Sequence, residues 1–260
     1  MIDLEAHLSA RRDAGRKLFV PYVSGGLDAE WVDLVRAFAD AGADAIEVGI
    51  PFSDPVMDGP TIQEASDRAL SRGTTPLSVL AELHGVSEDI GIPLVVMTYY
   101  NLAFRAGHDR FAAELAEAGI SGAILPDLPL EEVGPWAIAA DRCGVATVLL
   151  AAPTAPDERL PRITERSRGF VYAVSLLGIT GERARLADTA VGMAQRLKAV
   201  TDRPVLVGIG ISNVAQAVEA CTVADGVIMA SALMRMRLDG ASVAEVAAAV
   251  RTVRDGIDRG

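Results

Sequence analysis

The first chemical signal in this chain is a glutamate inside an otherwise apolar run. Ala45-Ile46-Glu47-Val48-Gly49 has the composition of a buried parallel strand, yet Glu47 stands near its C-terminal end. Alternation that packs Ile46 and Val48 outward turns Glu47 inward. A carboxyl there loses hydration, which raises its pKa and lets it donate as well as accept a proton near neutral pH. An inward glutamate can also be half of an ion pair. The strands supply no evident arginine or lysine for one, so chemistry is the stronger reading. Asp54 and Asp58 follow in a loop punctuated by Pro51, Pro55, Gly59 and Pro60 and stiffened by its prolines. Alone, Asp58-Gly59 is a turn signal. Eleven residues after an inward glutamate and on the same face, Asp58 becomes its acid–base companion. One carboxylate would be dry and the other partly wet.

A second cluster lies near the end of the chain. Gly208-Ile209-Gly210-Ile211-Ser212 follows one strand candidate, and Ala230-Ser231-Ala232 follows the next. Loops after the last two strands of an α/β barrel commonly hold phosphate. Glycines let the backbone approach the anion, and N–H groups with a helix dipole supply positive potential without a lysine. Upstream, Gly178 and Gly181 flank Thr180 in Ser175–Arg183. That stretch suits a loop that closes over substrate, or an ordinary long loop; its residues alone do not choose.

The elements that must position these residues alternate along the whole chain. Strand candidates are Leu18–Val23, Ala45–Gly49, Pro93–Thr98, Gly122–Leu125, Ala146–Leu150, Gly169–Val174, Pro204–Val207 and Gly226–Met229. Amphipathic stretches such as Ala29–Asp40, Thr61–Ser71, Arg110–Ala118, Glu131–Arg142 and Asn213–Ala220 separate them, and Val243–Ile257 closes the chain. Gly42, Gly119 and Gly144 each end a helix just before a strand, where a left-handed residue stops the helix without a Cβ clash. Eight strands in 260 residues is the count of one α/β barrel, although periodicity alone also allows a doubly wound sheet. With 50% apolar and 5% aromatic residues, the core is packed by aliphatics, as suits strands buried on both faces.

Composition also excludes. A net charge of −11 repels nucleic-acid backbones and anionic lipids, so neither nucleic acid nor membrane is an expected partner. Cys143 and Cys221 are too far apart for a redox or metal motif, and His7, His84 and His108 follow no ligand spacing, so no metal is expected. The acidic start, Met1-Ile2-Asp3-Leu4-Glu5, is unlike a signal peptide, and no apolar run is long enough for a span. A cytoplasmic location follows as the expectation.

The segment from Glu47-Val48-Gly49-Ile50-Pro51-Phe52-Ser53-Asp54-Pro55 through Asp58-Gly59-Pro60-Thr61-Ile62-Gln63 resembles the signature of tryptophan synthase α subunits. Phe19-Val20-Pro21-Tyr22, Tyr99-Tyr100-Asn101, Pro126-Asp127-Leu128-Pro129, Gly169-Phe170-Val171-Tyr172 and Gly178-Ile179-Thr180-Gly181 match in order, so the resemblance spans nearly the whole chain. It implies a single (β/α)8 TIM barrel over residues 1–260 with an extra N-terminal helix. It implies retro-aldol cleavage of indole-3-glycerol phosphate to indole and glyceraldehyde 3-phosphate, in tryptophan biosynthesis. Glu47 would be the general acid–base at the glycerol hydroxyl and indole C3, and Asp58 would hold the indole N–H. Tyr172 would stand beside the substrate, with Gly181, Gly210 and Ser231 on the phosphate and Gly178 and Thr180 in the substrate loop. Asp54, Pro55, Asn101, Asp127 and Pro129 would meet a β chain in an αββα heterotetramer. Pyridoxal phosphate would belong to that β chain, with no cofactor in this one.

Several departures stand out. Met57 precedes the catalytic Asp, Ser24-Gly25-Gly26-Leu27 replaces a Gly-Asp-Pro-like turn, Leu102 stands where proline is frequent, and Leu176-Leu177 and Ala230 replace smaller or more polar residues. None removes a catalytic group. Similar chains include stand-alone lyases that release free indole, and a non-catalytic β-binding paralogue is a third class. The presence of both Glu47 and Asp58 disfavours the last. Another phosphosugar barrel would share the phosphate loops but leave the carboxylate segment without a purpose.

Overall fold

In the computed structural model the chain is described at residues 1–174, 183–208 and 210–260, with backbone alone for 183–189. Helix α1 (Leu4–Asp13) comes first, its N-terminus capped by Asp3, whose Oδ1 accepts from Ala6 N at 2.9 Å. There follow β1 (Leu18–Ser24), α2 (Trp31–Asp40), β2 (Ile46–Gly49), α3 (Pro60–Ser71) and α4 (Pro76–Ser87). The middle of the chain holds β3 (Leu94–Met97), α5 (Tyr100–Ala106), α6 (His108–Glu117), β4 (Gly122–Ile124), α7 (Gly134–Arg142), β5 (Ala146–Ala151) and α8 (Leu160–Arg166). The last third holds β6 (Val171–Ala173), α9 (Arg183–Lys198), β7 (Val205–Val207), α10 (Val214–Cys221), β8 (Gly226–Met229), α11 (Ser231–Leu238) and α12 (Val243–Arg259).

The strands pair in parallel in sequence order and β8 closes on β1, so the barrel of the sequence reading is formed and the doubly wound alternative is not. Helices α5 and α8, at seven residues, are too short to establish a helical period, and the amphipathic pattern does not single them out. Gly42, Gly119 and Gly144 adopt φ of 96°, 78° and 71°, as the helix-ending turns require.

Two apolar shells follow from strand alternation. Outward side chains such as Ile46, Val48, Val96 and Val207 pack under the helices. Inward ones, among them Val20, Val95, Ile124, Val148, Phe170, Leu206 and Ile228, fill the barrel, and Leu4 and Leu8 of α1 plug its N-terminal end. The extra helix is therefore a stopper: Leu8 is fully buried beneath strands that would otherwise meet water.

Candidate active site

β2 carries Glu47 into the barrel, as alternation requires. Its Cα pairs with Tyr22 on β1 and Val95 on β3, and its side chain is 1% exposed. Among the described residues no basic side chain pairs with it, and Oε2 is buried with no hydrogen-bond partner. Burial pushes the Glu47 carboxyl up to about 8, and the nearby Asp58 charge adds to the rise. Asp58, at the end of the proline-stiffened loop, is half-buried and raised to about 6 by desolvation, with the Tyr99 hydroxyl pulling the other way. The dry and partly wet carboxylates of the sequence reading are thus held near one another, with different proton affinities.

The loop between β2 and α3 is pinned from β3's C-terminal end. Met57 N donates to Tyr99 Oη at 2.9 Å, and the Tyr99 ring stacks on Phe52 at 5.1 Å. The next residue, Tyr100, donates its backbone N–H to Asp127 Oδ1 at 2.8 Å, tying the loop after β4 to the start of α5. Adjacent tyrosines thereby link the segments of Asp54–Pro55, Asn101 and Asp127–Pro129. Asp54, Asn101, Asp127 and Pro129 are exposed and Pro55 half-exposed, with Val56 (76%) and Phe104 (63%) as apolar neighbours in the same segments.

Tyr172 on β6 is buried and faces the carboxylates; desolvation first, then the Glu47 charge, raises its phenol. Its ring lies on Gly208: a Cβ there would sit 2.2 Å from Tyr172 Oη. Gly208, counted in the sequence with the phosphate-approach glycines, thus also seats the tyrosine. A matching seat lies across the barrel, where a Cβ on Gly49 would sit 1.8 Å from Tyr22 Oη. Tyr22, Tyr99 and Gly49 were not among the site candidates. A signal for Tyr22 was present, since it follows inward Leu18 and Val20 at alternate positions of its strand, and it pairs with inward Glu47.

At the other rim, Gly210 has φ of 101°, a left-handed conformation. Asn213 caps α10, and Gln216 Oε1 takes Ser212 N–H and hydroxyl. Helix α11 begins at Ser231 with no side-chain cap, so its first N–H groups face the rim without a side-chain acceptor. Ala230 has φ of −118°, so the residue found there needs no glycine. Gly178, Thr180 and Gly181 lie outside the described residues. A cavity of about 390 Å³ opens between β4, β5 and β6, walled by Met57, Leu125, Pro126, Leu150, Ala152 and Val174. It reaches Met57, the neighbour of Asp58, and neither carboxylate lines it. Among the described residues there is no cluster of three or more His, Cys, Asp or Glu able to hold a metal.

A closed parallel barrel with acid–base groups at the C-terminal ends of its strands defines a (β/α)8-barrel enzyme. A family model described as tryptophan synthase alpha chain matches residues 8–255. Relatives called tryptophan synthase alpha chain include one from Streptomyces coelicolor, 44% identical over 97% of this chain and 94% of its own. Another, from Thermobifida fusca, is 45% identical over 98% and 95%. Tryptophan synthase from M. tuberculosis contains a chain that superposes with a TM-score of 0.88 at 37% identity, covering 98% of this chain and 97% of that one. The tryptophan synthase alpha subunit from Legionella pneumophila superposes at 0.90 with 30% identity over all of both chains. The chain belongs to the tryptophan synthase alpha chain family, lyases of tryptophan biosynthesis that cleave indole-3-glycerol phosphate, a family that pairs with a β chain.

Proposed function

We propose that this chain, acting as one barrel unit over residues 1–260, cleaves indole-3-glycerol phosphate with Glu47 and Asp58 as its working groups. The observation that carries the proposal is a pair of neighbouring carboxyls raised to about 8 and about 6. Between those values Glu47 is mostly protonated and Asp58 mostly ionised, so one can give a proton while the other holds positive charge. Glu47 protonates indole C3, and Asp58 accepts the N–H hydrogen bond and stabilises the charged ring. The Glu47 carboxylate then takes the proton of the glycerol hydroxyl. The C–C bond breaks, its electron pair returns to the ring, an aldehyde forms and Glu47 is protonated again.

Tyr172 would flank the substrate. The uncapped start of α11 at Ser231, with Gly210 across the rim, would hold the phosphate by backbone N–H groups, together with Gly178, Thr180 and Gly181. The linked segments bearing Asp54, Pro55, Asn101, Asp127 and Pro129 would dock the β chain in an αββα assembly, with pyridoxal phosphate in that partner and none in this chain. Among the described residues no helix is long and apolar enough to cross a membrane; the cytoplasm is the setting proposed for the reaction.

The test is indole release from indole-3-glycerol phosphate, with and without a tryptophan synthase β chain. Slow release that rises sharply with the β chain supports the α-subunit reading. Fast release from the isolated chain replaces it with a stand-alone lyase. No release in either case overturns the assignment of Glu47 and Asp58.

A further inference from the structure

The site contains a second protic group beside Glu47 that the acid–base pair does not use. Tyr22 sits on the strand next to Glu47, its Cα directly paired with the glutamate's, and is 3% exposed. Its phenol is seated on Gly49, the inward position beyond Glu47, where any Cβ would collide with Oη. Ser24 Oγ donates to Tyr22 Oη at 3.3 Å, which leaves the phenol's own proton free for another acceptor. Glu47 Oε2, buried at the same mouth, has no partner among the described residues. The groups facing Glu47 are Tyr22 from β1, Asp58 from the following loop and Tyr172 from β6, with no described lysine or arginine. Burial raises the phenol far above neutrality, so Tyr22 can donate a hydrogen bond but not serve as a base.

We infer that Tyr22, held by Ser24 and seated on Gly49, is a positioning residue that donates its hydroxyl hydrogen bond to Glu47 Oε2 whenever Glu47 is ionised. The inference deepens the proposed reaction and rests on it for its meaning. Glu47 must exist briefly as a buried carboxylate after protonating C3 and before taking the hydroxyl proton. A neutral donor that turns to it then stabilises that state without competing for the proton. Tyr172 reaches the site from the opposite side of the barrel and has no comparable anchor, being seated on Gly208 with no described hydrogen bond to its hydroxyl.

The experiment follows the Glu47 carboxyl by 13C-detected titration in the whole protein, assigned by its loss in Glu47→Gln, alongside the pH profile of indole release. Tyr22→Phe is expected to move the Glu47 midpoint upward by about one pH unit and to lower kcat roughly tenfold near neutrality, with KM little changed. Ser24→Ala, which keeps the phenol, should move both in the same direction by less. A Glu47 midpoint that stays in place in a folded Tyr22→Phe protein overturns the inference. That readout needs no turnover, whereas a wild-type protein that releases no indole overturns the proposed function instead.

Discussion

Two buried carboxylates stand three residues apart, and the barrel treats them in opposite ways. Asp44, fully buried, lies at the N-terminal end. Its Oδ1 accepts from Arg11 Nη1 at 3.1 Å and Arg16 Nε at 2.7 Å, and its Oδ2 from Phe19 N and Arg254 Nη1, both at 2.9 Å. Glu47, three residues further along and pointing into the barrel from β2, keeps an oxygen with no described partner. Asp44 joins α1, β1 and α12 around β2 and spends its charge on holding them. Glu47 keeps its proton affinity high because burial disfavours its charge and the Asp58 charge adds to the rise, with no basic partner among the described residues. The two carboxylates differ in kind: Asp44 is fully paired, whereas Glu47 keeps an oxygen with no partner among the described residues, the state that the proposed chemistry needs.

The sharpest way to break this contrast is Glu47→Gln. We expect kcat for indole release to fall by about 10²- to 10⁴-fold while the protein stays folded, as circular dichroism would report. Retained turnover would mean that the orphaned oxygen has no chemical purpose. The mirror experiment is Asp44→Asn. It should cost about 3 kcal/mol in urea unfolding, since buried Arg254 keeps only Asp258 while Arg11 and Arg16 lose the same carboxylate, yet leave kcat near wild type at temperatures where the protein is folded. A large kcat loss in the folded variant would show that the two ends are coupled.

Gly208→Ala tests the reactive end at a smaller scale. Its methyl would displace the Tyr172 ring, and we expect a loss of about 1–3 kcal/mol in stability with weaker substrate affinity. A further test lies in the pH dependence of stability. Glu47's folded value, about 8, lies above its unfolded value near 4.5, so the folded state binds more protons between them. Its burial costs nothing below about pH 4.5, and the cost grows as pH rises until it is complete above about pH 8. Glu47→Gln should therefore match wild-type Tm at pH 4.5 and exceed it at pH 8.5. Equal Tm differences at both pH values would contradict a raised Glu47.

Much of this was legible in residue order because the signals were local. An apolar strand interrupted by Glu47, the glycines that end helices, and the Gly-x-Gly and Ala-Ser-Ala runs each depend on only a few neighbouring residues. Short elements were less legible: α5 and α8 span seven residues, and Tyr100 begins its helix with a cap borrowed from Asp127, 27 residues away. No local pattern encodes a cap that arrives from another strand's loop. The glycines show the same divide. Gly42 could be read alone because a left-handed helix end is a property of its own backbone. Gly49 and Gly208 could not, because the rings that forbid a Cβ come from β1 and β6.

By itself, then, the order of residues determined the alternation of strand and helix, the inward direction of Glu47 and the polarity of each strand's faces. These follow from backbone periodicity and solvent preference, which act over a few residues. Only the tertiary structure decided that α1 stoppers the barrel, that Asp44 is neutralised while Glu47 has no basic partner among the described residues, and that Tyr22 shares the mouth with Glu47. Proton affinity is set by every charge and dipole within a few ångströms, whatever its distance along the chain, and closing eight strands into a ring is what brings those groups together.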